Sequence, residues 1–171
     1  MATLIKQRRI VADSWQLLKR GPNGELPEVP AQGDVIVPLA LWQARREHFL
    51  AYSGNIGVWL DSHEEPASIA GDLDRFRLVA VNFPKFGDGR GYSIARLLRE
   101  RHGYQGELRV IGEVVRDHLF FMASCGFDSF ALRDDQDPQE ALAAFDDFSD
   151  AYQGSVERPQ PLFRRRLAGK V

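Results

Sequence analysis

The stretch between Asn82 and Tyr104 combines glycines and charged side chains in a way that suits anion binding. It reads NFPKFGDGRGYSIARLLRERHGY. Its glycines can adopt positive φ and expose backbone N–H groups, and its serine is predicted to cap the helix that follows. Its arginine and lysine can add positive charge beside that helix start. We expect a phosphate, sulfate or carboxylate to be bound by Lys85, Asp88, Gly89, Arg90, Gly91, Tyr92, Ser93 and Arg116.

Two other interpretations of this loop remain open. The spacing of its glycines matches neither the P-loop nor the dinucleotide fingerprint, so a nucleotide cradle is not predicted. The loop could be a structural turn, with Asp88 accepting from backbone donors and Arg90 paired with Glu113 or Asp117. It could also form the surface that meets a protein partner.

The residues that could work with this loop follow the ends of predicted parallel strands, where ligands bind in α/β proteins. Asp88, Glu113 and Asp117 are the candidates for acid or base catalysis, although Asp117 could equally lie in a solvated first turn. The full set after the strand ends is Asp61, Asn82, Lys85, Asp88, Arg90, Gly112, Glu113, Arg116, Asp117, Arg133 and Asp134.

Short apolar runs alternate with helix-length amphipathic segments, and the unit repeats about five times. This alternation predicts an α/β fold with a mainly parallel sheet, either open and flavodoxin-like or a partial barrel. Asp137 is predicted to cap the last helix, with Pro138 at its first position and Gly154 after its end. The predicted strands are Asp34–Leu39, Asn55–Asp61, Arg77–Phe83, Glu107–Gly112 and Asp128–Leu132.

The chain divides into three parts of one expected domain. Residues 1–33 are rich in strand formers and turn residues, which predicts an N-terminal arm or hairpin. Residues 34–154 hold the strand and helix units. Residues 155–171 are rich in proline and arginine and predict a flexible or partner-packed extension.

Composition excludes several classes of function. The net charge is -2, which argues against a broadly basic surface for nucleic acid. No apolar run reaches the length of a membrane span or a signal peptide, so we expect a soluble, cytoplasmic protein. The four histidines show no metal-binding spacing, and no metal is expected. Cys125 stands just before a helix-ending glycine, where the helix dipole disfavours a thiolate.

The second half of the chain carries a long, specific motif. From Phe83 to Leu132 it follows the pattern F-x-x-F-x-D-G-R-G-Y-S-x-A-R-x-L-R, then G-E-L-R, R-D-x-L and C-G-F-D-x-F. In these residues the sequence resembles an uncharacterised bacterial family, domain of unknown function 934. The matched positions are Phe83, Phe86, Asp88, Gly89, Arg90, Gly91, Tyr92, Ser93, Arg96, Arg99, Arg116 and Asp117.

The resemblance implies a link to sulfur assimilation. Members of that family are commonly encoded beside sulfite and sulfate reduction genes and are often labelled as oxidoreductases by this association. The chain itself shows no recognisable cofactor motif: it lacks flavin, nicotinamide, siroheme and iron–sulfur signatures.

Two functions follow as hypotheses. The first is an accessory of assimilatory sulfite reduction that has no redox centre of its own and binds an anion or the reductase. The second is a small α/β enzyme acting on a phosphorylated or sulfated metabolite, in which Arg90 grips the anion. A scaffold whose loop contacts another subunit, including a second copy in a homo-oligomer, is a third possibility.

Overall fold

A sheet of eight strands forms the centre of the computed structural model, which describes residues 3–147, 151 and 153–169. Across the sheet the strands follow the order β2-β1-β8-β7-β6-β5-β4-β3. Their bounds are β1 Thr3–Lys6, β2 Arg9–Ala12, β3 Gln16–Leu17, β4 Val35–Pro38, β5 Ile56–Leu60, β6 Leu78–Phe83, β7 Glu107–Gly112 and β8 Ser129–Phe130.

The helices are short, and several turns are not α-helical. The α-helices are α1 Leu39–Ala44, α2 Arg46–Leu50, α3 Arg90–Arg96, α4 Leu119–Ser124, α5 Pro138–Leu142 and α6 Leu162–Leu167. The 3-10 helices are Pro66–Arg75, Arg116–His118 and Ala143–Asp146, and α3 continues as a π-helical turn over Leu97–Arg101. No helix in the described part of the chain is long and apolar enough to cross a membrane.

The strand order decides between the two predicted architectures. From β3 to β8 the strands are parallel and adjacent in chain order, and the sheet is curled into a half-barrel. A flavodoxin-like sheet would instead reverse its order at a switch point. Because right-handed crossovers between sequential strands place every helix on the same face, the helices cover the convex side. Ligand-binding positions are then expected along the carboxyl edge of the parallel strands.

The two antiparallel strands lie at the far edge. β1 pairs with β2 from Thr3↔Ala12 to Lys6↔Arg9, and the turn residues Gln7 and Arg8 both have positive φ. Such angles suit a two-residue hairpin whose twist matches that of its strands. β1 also pairs antiparallel with β8, so the N-terminal residues form the edge of the main sheet.

Both faces of the sheet are buried, which explains why its strands are continuous apolar runs. The larger cluster lies under the helices and includes Val58, Val81 and Val110. The smaller cluster, on the concave face, consists of Ile36, Trp59, Leu78, Ala80 and Ile111, and Trp15 and Leu17 pack against it. The N-terminal segment therefore covers the concave face, and the Trp59 Nε1–H donates to the Leu18 carbonyl at 2.9 Å.

The predicted helices differ from those observed mainly in continuity. The segment after β4 breaks at Arg45 into α1 and α2, and the segment after β7 becomes helical only from Arg116, after the extended Val115. Val114 and Val115 are both buried. The Asp137 cap is confirmed, since its Oδ1 accepts from the Gln139 N–H at 2.7 Å. The predicted continuation of that helix towards Gly154 includes residues 148–150 and 152, which lie outside the described residues.

Candidate functional site

The glycine loop is organised by an ion pair within it. The Asp88 Oδ1 accepts from the Arg90 backbone N–H at 3.2 Å and from its Nε at 2.9 Å, and Oδ2 accepts from Nη2 at 2.7 Å. The bonds from the Arg90 side chain, and then one from Ser62, hold the pKa of Asp88 well below its usual range. The Arg90 side chain is 61% exposed, so it binds Asp88 on one side while much of it faces solvent.

This geometry corrects two expectations about the loop. Arg90 pairs with Asp88, not with Glu113 or Asp117. Ser93 is not the helix cap, because α3 already begins at Arg90 and Asp88 accepts from the first N–H. The backbone N–H of Arg90 therefore already has an acceptor within its own chain.

None of the three loop glycines is needed for a left-handed backbone conformation, and one of them is needed for packing. Gly87, Gly89 and Gly91 do not have positive φ, contrary to expectation. A Cβ on Gly91 would lie 2.5 Å from the ring of Phe83, whereas one on Gly87 would meet nothing within 4 Å and one on Gly89 would make only ordinary contact, 3.8 Å from the ring of Tyr92. Only Gly91 is thus required for space, because α3 crosses directly over an aromatic ring of β6.

Asp61 and Asn82 meet beside the loop, as expected for residues at neighbouring strand ends. The Asn82 Nδ2 donates to the Asp61 Oδ1 at 3.1 Å, and the same oxygen accepts from the Ser62 N–H at 2.8 Å. The pKa of Arg90 is raised first by its hydrogen bond with Asp88 and then by the negative charge of Asp88. The negative charge of Asp61 raises it further. The loop and the end of β5 therefore form one polar cluster.

A second polar cluster forms at the ends of β7 and β8. Arg133 donates to Glu113 through Nη1 at 2.8 Å and to Asp135 through Nε at 2.6 Å and Nη2 at 2.7 Å. These bonds, first that with Asp135 and then that with Glu113, raise the pKa of Arg133. Gly112 has a φ of 95°, which brings the chain close to Asn82 and Phe83.

The remaining predicted residues do not join either cluster. Arg116 donates to Asp147 at 3.0 Å, and Asp117 is exposed, with its Oδ1 3.8 Å from Arg116. Asp134 is exposed after β8, and Lys85 shapes the turn through its carbonyl, which accepts from the Asp88 N–H at 3.0 Å. The three acid–base candidates therefore have different surroundings: Asp88 holds Arg90, Glu113 holds Arg133, and Asp117 faces solvent.

An aromatic surface beside the loop was missed by sequence reasoning. Phe86, 61% exposed, lies on His118 with ring centroids 4.6 Å apart, and Phe121, 56% exposed, meets Tyr92 at 4.8 Å. His118 and Phe121 are three residues apart on neighbouring helical turns, so the two ring pairs lie near each other on one side of the chain. The sequence could have indicated this exposure, because Phe121 does not fall on the helix face that carries the buried Leu119 and Met122. We call Phe86, Tyr92, His118 and Phe121 the aromatic surface.

Another residue of the motif has a different role at the opposite edge of the sheet. Arg99 donates to the carbonyls of Gly126 at 3.0 Å, Tyr104 at 2.8 Å and Gly106 at 2.8 Å, and to the Asp128 carboxylate at 3.2 Å. It ties the π-helical turn to the loops before β7 and β8. This arginine therefore fixes the fold rather than a ligand.

The redox and metal chemistry of the described side chains is limited. Cys125 packs in the main core, and burial raises the pKa of its thiol, so the thiolate is disfavoured. No group of three or more histidine, cysteine, aspartate or glutamate side chains in the described ranges could hold a metal ion.

Together, the fold and these side chains define an α/β half-barrel protein with polar clusters and exposed aromatic rings at the carboxyl edge of its parallel strands. The sequence profile of a bacterial protein family of unknown function, DUF934, matches residues 57–163. This range covers more than half of the chain, and the protein belongs to that family. No curated protein matches it in sequence.

Proposed function

We propose that the protein is an accessory of assimilatory sulfite reduction that contributes binding, with no redox centre of its own, and that the aromatic surface docks on the sulfite reductase. The exposure of Phe86 and Phe121 at one place is the observation that carries this proposal. Two large rings more than half exposed are typical of surfaces that a partner covers. The link to sulfite reduction rests on the gene neighbourhood implied for the family.

The surroundings of these rings favour a protein partner. The rings contact in two pairs, Phe86 with His118 and Tyr92 with Phe121, and Tyr92 also meets the buried Phe83 at 5.0 Å. These contacts hold the rings in place before a partner arrives. Arg90 lies two residues before Tyr92 and presents a partly free guanidinium. Aromatic rings with a neighbouring arginine are the residue types enriched at the centres of protein interfaces.

The chemistry of the core supports a role without electron transfer by the protein's side chains. Cys125 is buried with a raised pKa, and its sulfur is not presented to a substrate. In this proposal the electrons pass through the reductase, and the accessory changes the reductase's assembly or activity.

The decisive experiment combines growth and binding. Deleting the gene should slow growth on sulfate as sulfur source but not on cysteine. A gene encoding Phe86→Ser with Phe121→Ser should fail to restore growth, and the purified variant should lose binding to purified sulfite reductase in sedimentation velocity. Leu26→Ser with Leu50→Ser is the matched control, because both leucines are exposed elsewhere. Normal growth on sulfate after deletion would overturn the proposal.

A second candidate function is catalysis on a phosphorylated or sulfated metabolite held by Arg90. The exposed part of its guanidinium, with exposed Lys85 nearby in sequence, favours this alternative. Sulfate, sulfite or phosphate should then raise the melting temperature, and Arg90→Ala should abolish the shift. Arg46→Ala is the matched control, since Arg46 is a half-exposed arginine paired with Asp72 on another surface. The absence of any anion-dependent shift would argue against this function.

A further inference from the structure

Charges near the C-terminus are strongly segregated. Residues 134–147 include no lysine or arginine, and residues 158–169 include four arginines and no acidic side chain. Since the whole chain has a net charge of only -2, this separation is local. The six acidic residues of the first segment are all exposed: Asp134, Asp135, Asp137, Glu140, Asp146 and Asp147.

The basic segment forms a helix that its own chain covers on one side only, where Leu162 and Arg165 are half-buried. None of the residues of α6 is buried, and Phe163 and Leu167 are both exposed. These two side chains are four residues apart and therefore lie on the same face of the helix. A helix of six residues is marginal in water without tertiary packing. The helix would be more stable if another surface buried its apolar face.

The acidic segment offers a complementary surface. In α5 and the following 3-10 turn, Ala141, Ala144 and Phe145 point into the core. Gln139, Glu140, Ala143, Asp146 and Asp147 are exposed on the other side. Because Ala143 is small, it leaves room for a large apolar side chain between the flanking carboxylates. We call this exposed side the acidic surface.

The helix does not cover the acidic surface of its own chain. Phe163, Arg164 and Arg166 are exposed, and so is Ala143. The segment before α6 is held on α4, since the Val156 N–H donates to the Ser124 carbonyl at 3.0 Å, and Arg165 lines the same cavity as Asp146 while the exposed side of α6 is turned outward. The two complementary surfaces are therefore both available to another molecule.

We propose that α6 of one copy docks on the acidic surface of a second copy, and that the exchange is reciprocal in a twofold dimer. Phe163 and Leu167 pack around Ala143, and Arg164 and Arg166 face Glu140 and the neighbouring carboxylates. A twofold axis repeats the same contact, so one pair of surfaces forms two interfaces.

The apolar contact supplies most of the affinity in this arrangement. Asp146 and Asp147 already accept from Arg8 at 3.3 Å and Arg116 at 3.0 Å within the chain. Exposed ion pairs also add little each. The charges chiefly set which surfaces meet. The interface uses none of the residues of the aromatic surface, so it does not depend on the proposed function.

Sedimentation equilibrium of the purified full chain tests the dimer directly. The full chain should dimerise, and raising the salt from about 50 mM to about 500 mM should weaken association because screening shortens the reach of the charges. A chain ending at Pro161, which keeps the contact of Val156, should be monomeric. Leu167→Ser should weaken association about tenfold or more, which is the scale expected for one buried leucine.

Charge reversal makes the test specific. Arg164→Glu with Arg166→Glu should prevent dimerisation, and so should Glu140→Lys with Asp146→Lys. When the two variants are mixed, a heterodimer should form, because each interface then joins opposite charges. A full chain that stays monomeric would overturn the proposal. So would a dimer that survives truncation, a mixture that fails to associate, or a monomer whose tail instead binds vesicles of phosphatidylglycerol and phosphatidylethanolamine.

Discussion

Arg90 and Arg99 belong to the same motif and lie at opposite edges of the parallel sheet, yet they differ in almost every contact. Arg99 is 13% exposed, and three backbone carbonyls and one carboxylate accept its donors. Among the described residues the Arg90 side chain bonds to Asp88 alone, and it is mostly exposed. A shared motif therefore contains one arginine that stabilises the fold and another that is available for binding.

The amino edge of the strands, where Arg99 lies, holds a second arginine that is bound entirely within the fold. Arg109, whose side chain is 3% exposed, donates to Glu107 at 2.8 Å and to Asp13 at 3.0 Å, and Lys6 contacts Glu107 at 2.5 Å. These charges neutralise one another inside the half-barrel. At the carboxyl edge the arginine pairs are open to solvent. Function is therefore expected at the carboxyl edge and stability at the amino edge.

The largest predicted effect that would test this division is the loss of Arg109. Arg109→Ala should lower the free energy of unfolding by about 3–5 kcal/mol, because Glu107 and Asp13 would be left without their shared partner in a buried site. Urea unfolding followed by circular dichroism measures the change. A midpoint equal to that of the wild type would mean that water reaches this network freely.

Arg99→Ala should cost about 2–4 kcal/mol, since three carbonyls and Asp128 lose a common donor. Arg99→Lys should not restore stability, because an ammonium group cannot span the sites that the guanidinium reaches. Arg90→Ala is the matched comparison and should lower the unfolding midpoint less, because its side chain is mostly exposed and bonds only to Asp88 among the described residues. Equal losses in the Arg90 and Arg99 variants would remove the distinction between the two edges.

Gly91→Ala should destabilise the protein by about 1–3 kcal/mol through overpacking, because the new methyl group would overlap the ring of Phe83. Gly87→Ala is the control, since its Cβ would meet no atom within 4 Å and its φ is not positive. Thermal unfolding of both variants measures the difference. If Gly87→Ala were the more harmful change, flexibility of the loop rather than packing would explain its glycines.

The smallest effect concerns acid stability at the amino edge. Burial alone would raise the pKa of Glu107, but Lys6 and Arg109 outweigh it and hold this pKa below its usual range. Glu107 therefore stabilises the fold above its unfolded pKa, and this contribution is lost as the pH falls through its folded pKa. The stability difference between wild type and Glu107→Gln should shrink from about pH 6 to about pH 3.

Asp128 acts in the opposite direction in the same experiment. Burial raises its pKa, so its contribution favours the folded state most at acidic pH and declines as the pH rises. Asp128→Asn should therefore not reproduce the acid dependence of Glu107→Gln. A stability difference for Glu107→Gln that is constant with pH would show that the fold leaves the pKa of Glu107 unchanged.

The sequence predicts local features well where one residue type decides the outcome. Glu107–Gly112 is both the predicted and the observed strand, and Asp137 caps its helix, because apolar runs and short polar side chains act locally. Asp61 and Asn82 were correctly placed together, since parallel strands end at one edge. The half-barrel was not decided, because strand order depends on which strands pair across the whole chain.

The site was less predictable for a related reason. That Arg90 pairs with Asp88 depends on the path of a single turn, and charge patterning offered Glu113 and Asp117 as equal partners. The requirement for Gly91 depends on the ring of Phe83, which reaches it only when α3 lies over β6. The exposure of Phe121 depends on where α4 meets its neighbours. These contacts are tertiary and have no local sequence signal.

The π-helical turn at Leu97–Arg101 has a consequence for the length of the chain between α3 and β7. A π-helical turn is equivalent to an α-helix that has gained one residue. Removing one residue there would restore regular α-helical spacing and rotate everything beyond it by about 100° around the axis. Arg99 would then point away from its carbonyl acceptors. The contacts of Arg99 thus depend on a single extra residue in the helix. A chain one residue shorter would need other contacts to hold the loops before β7 and β8.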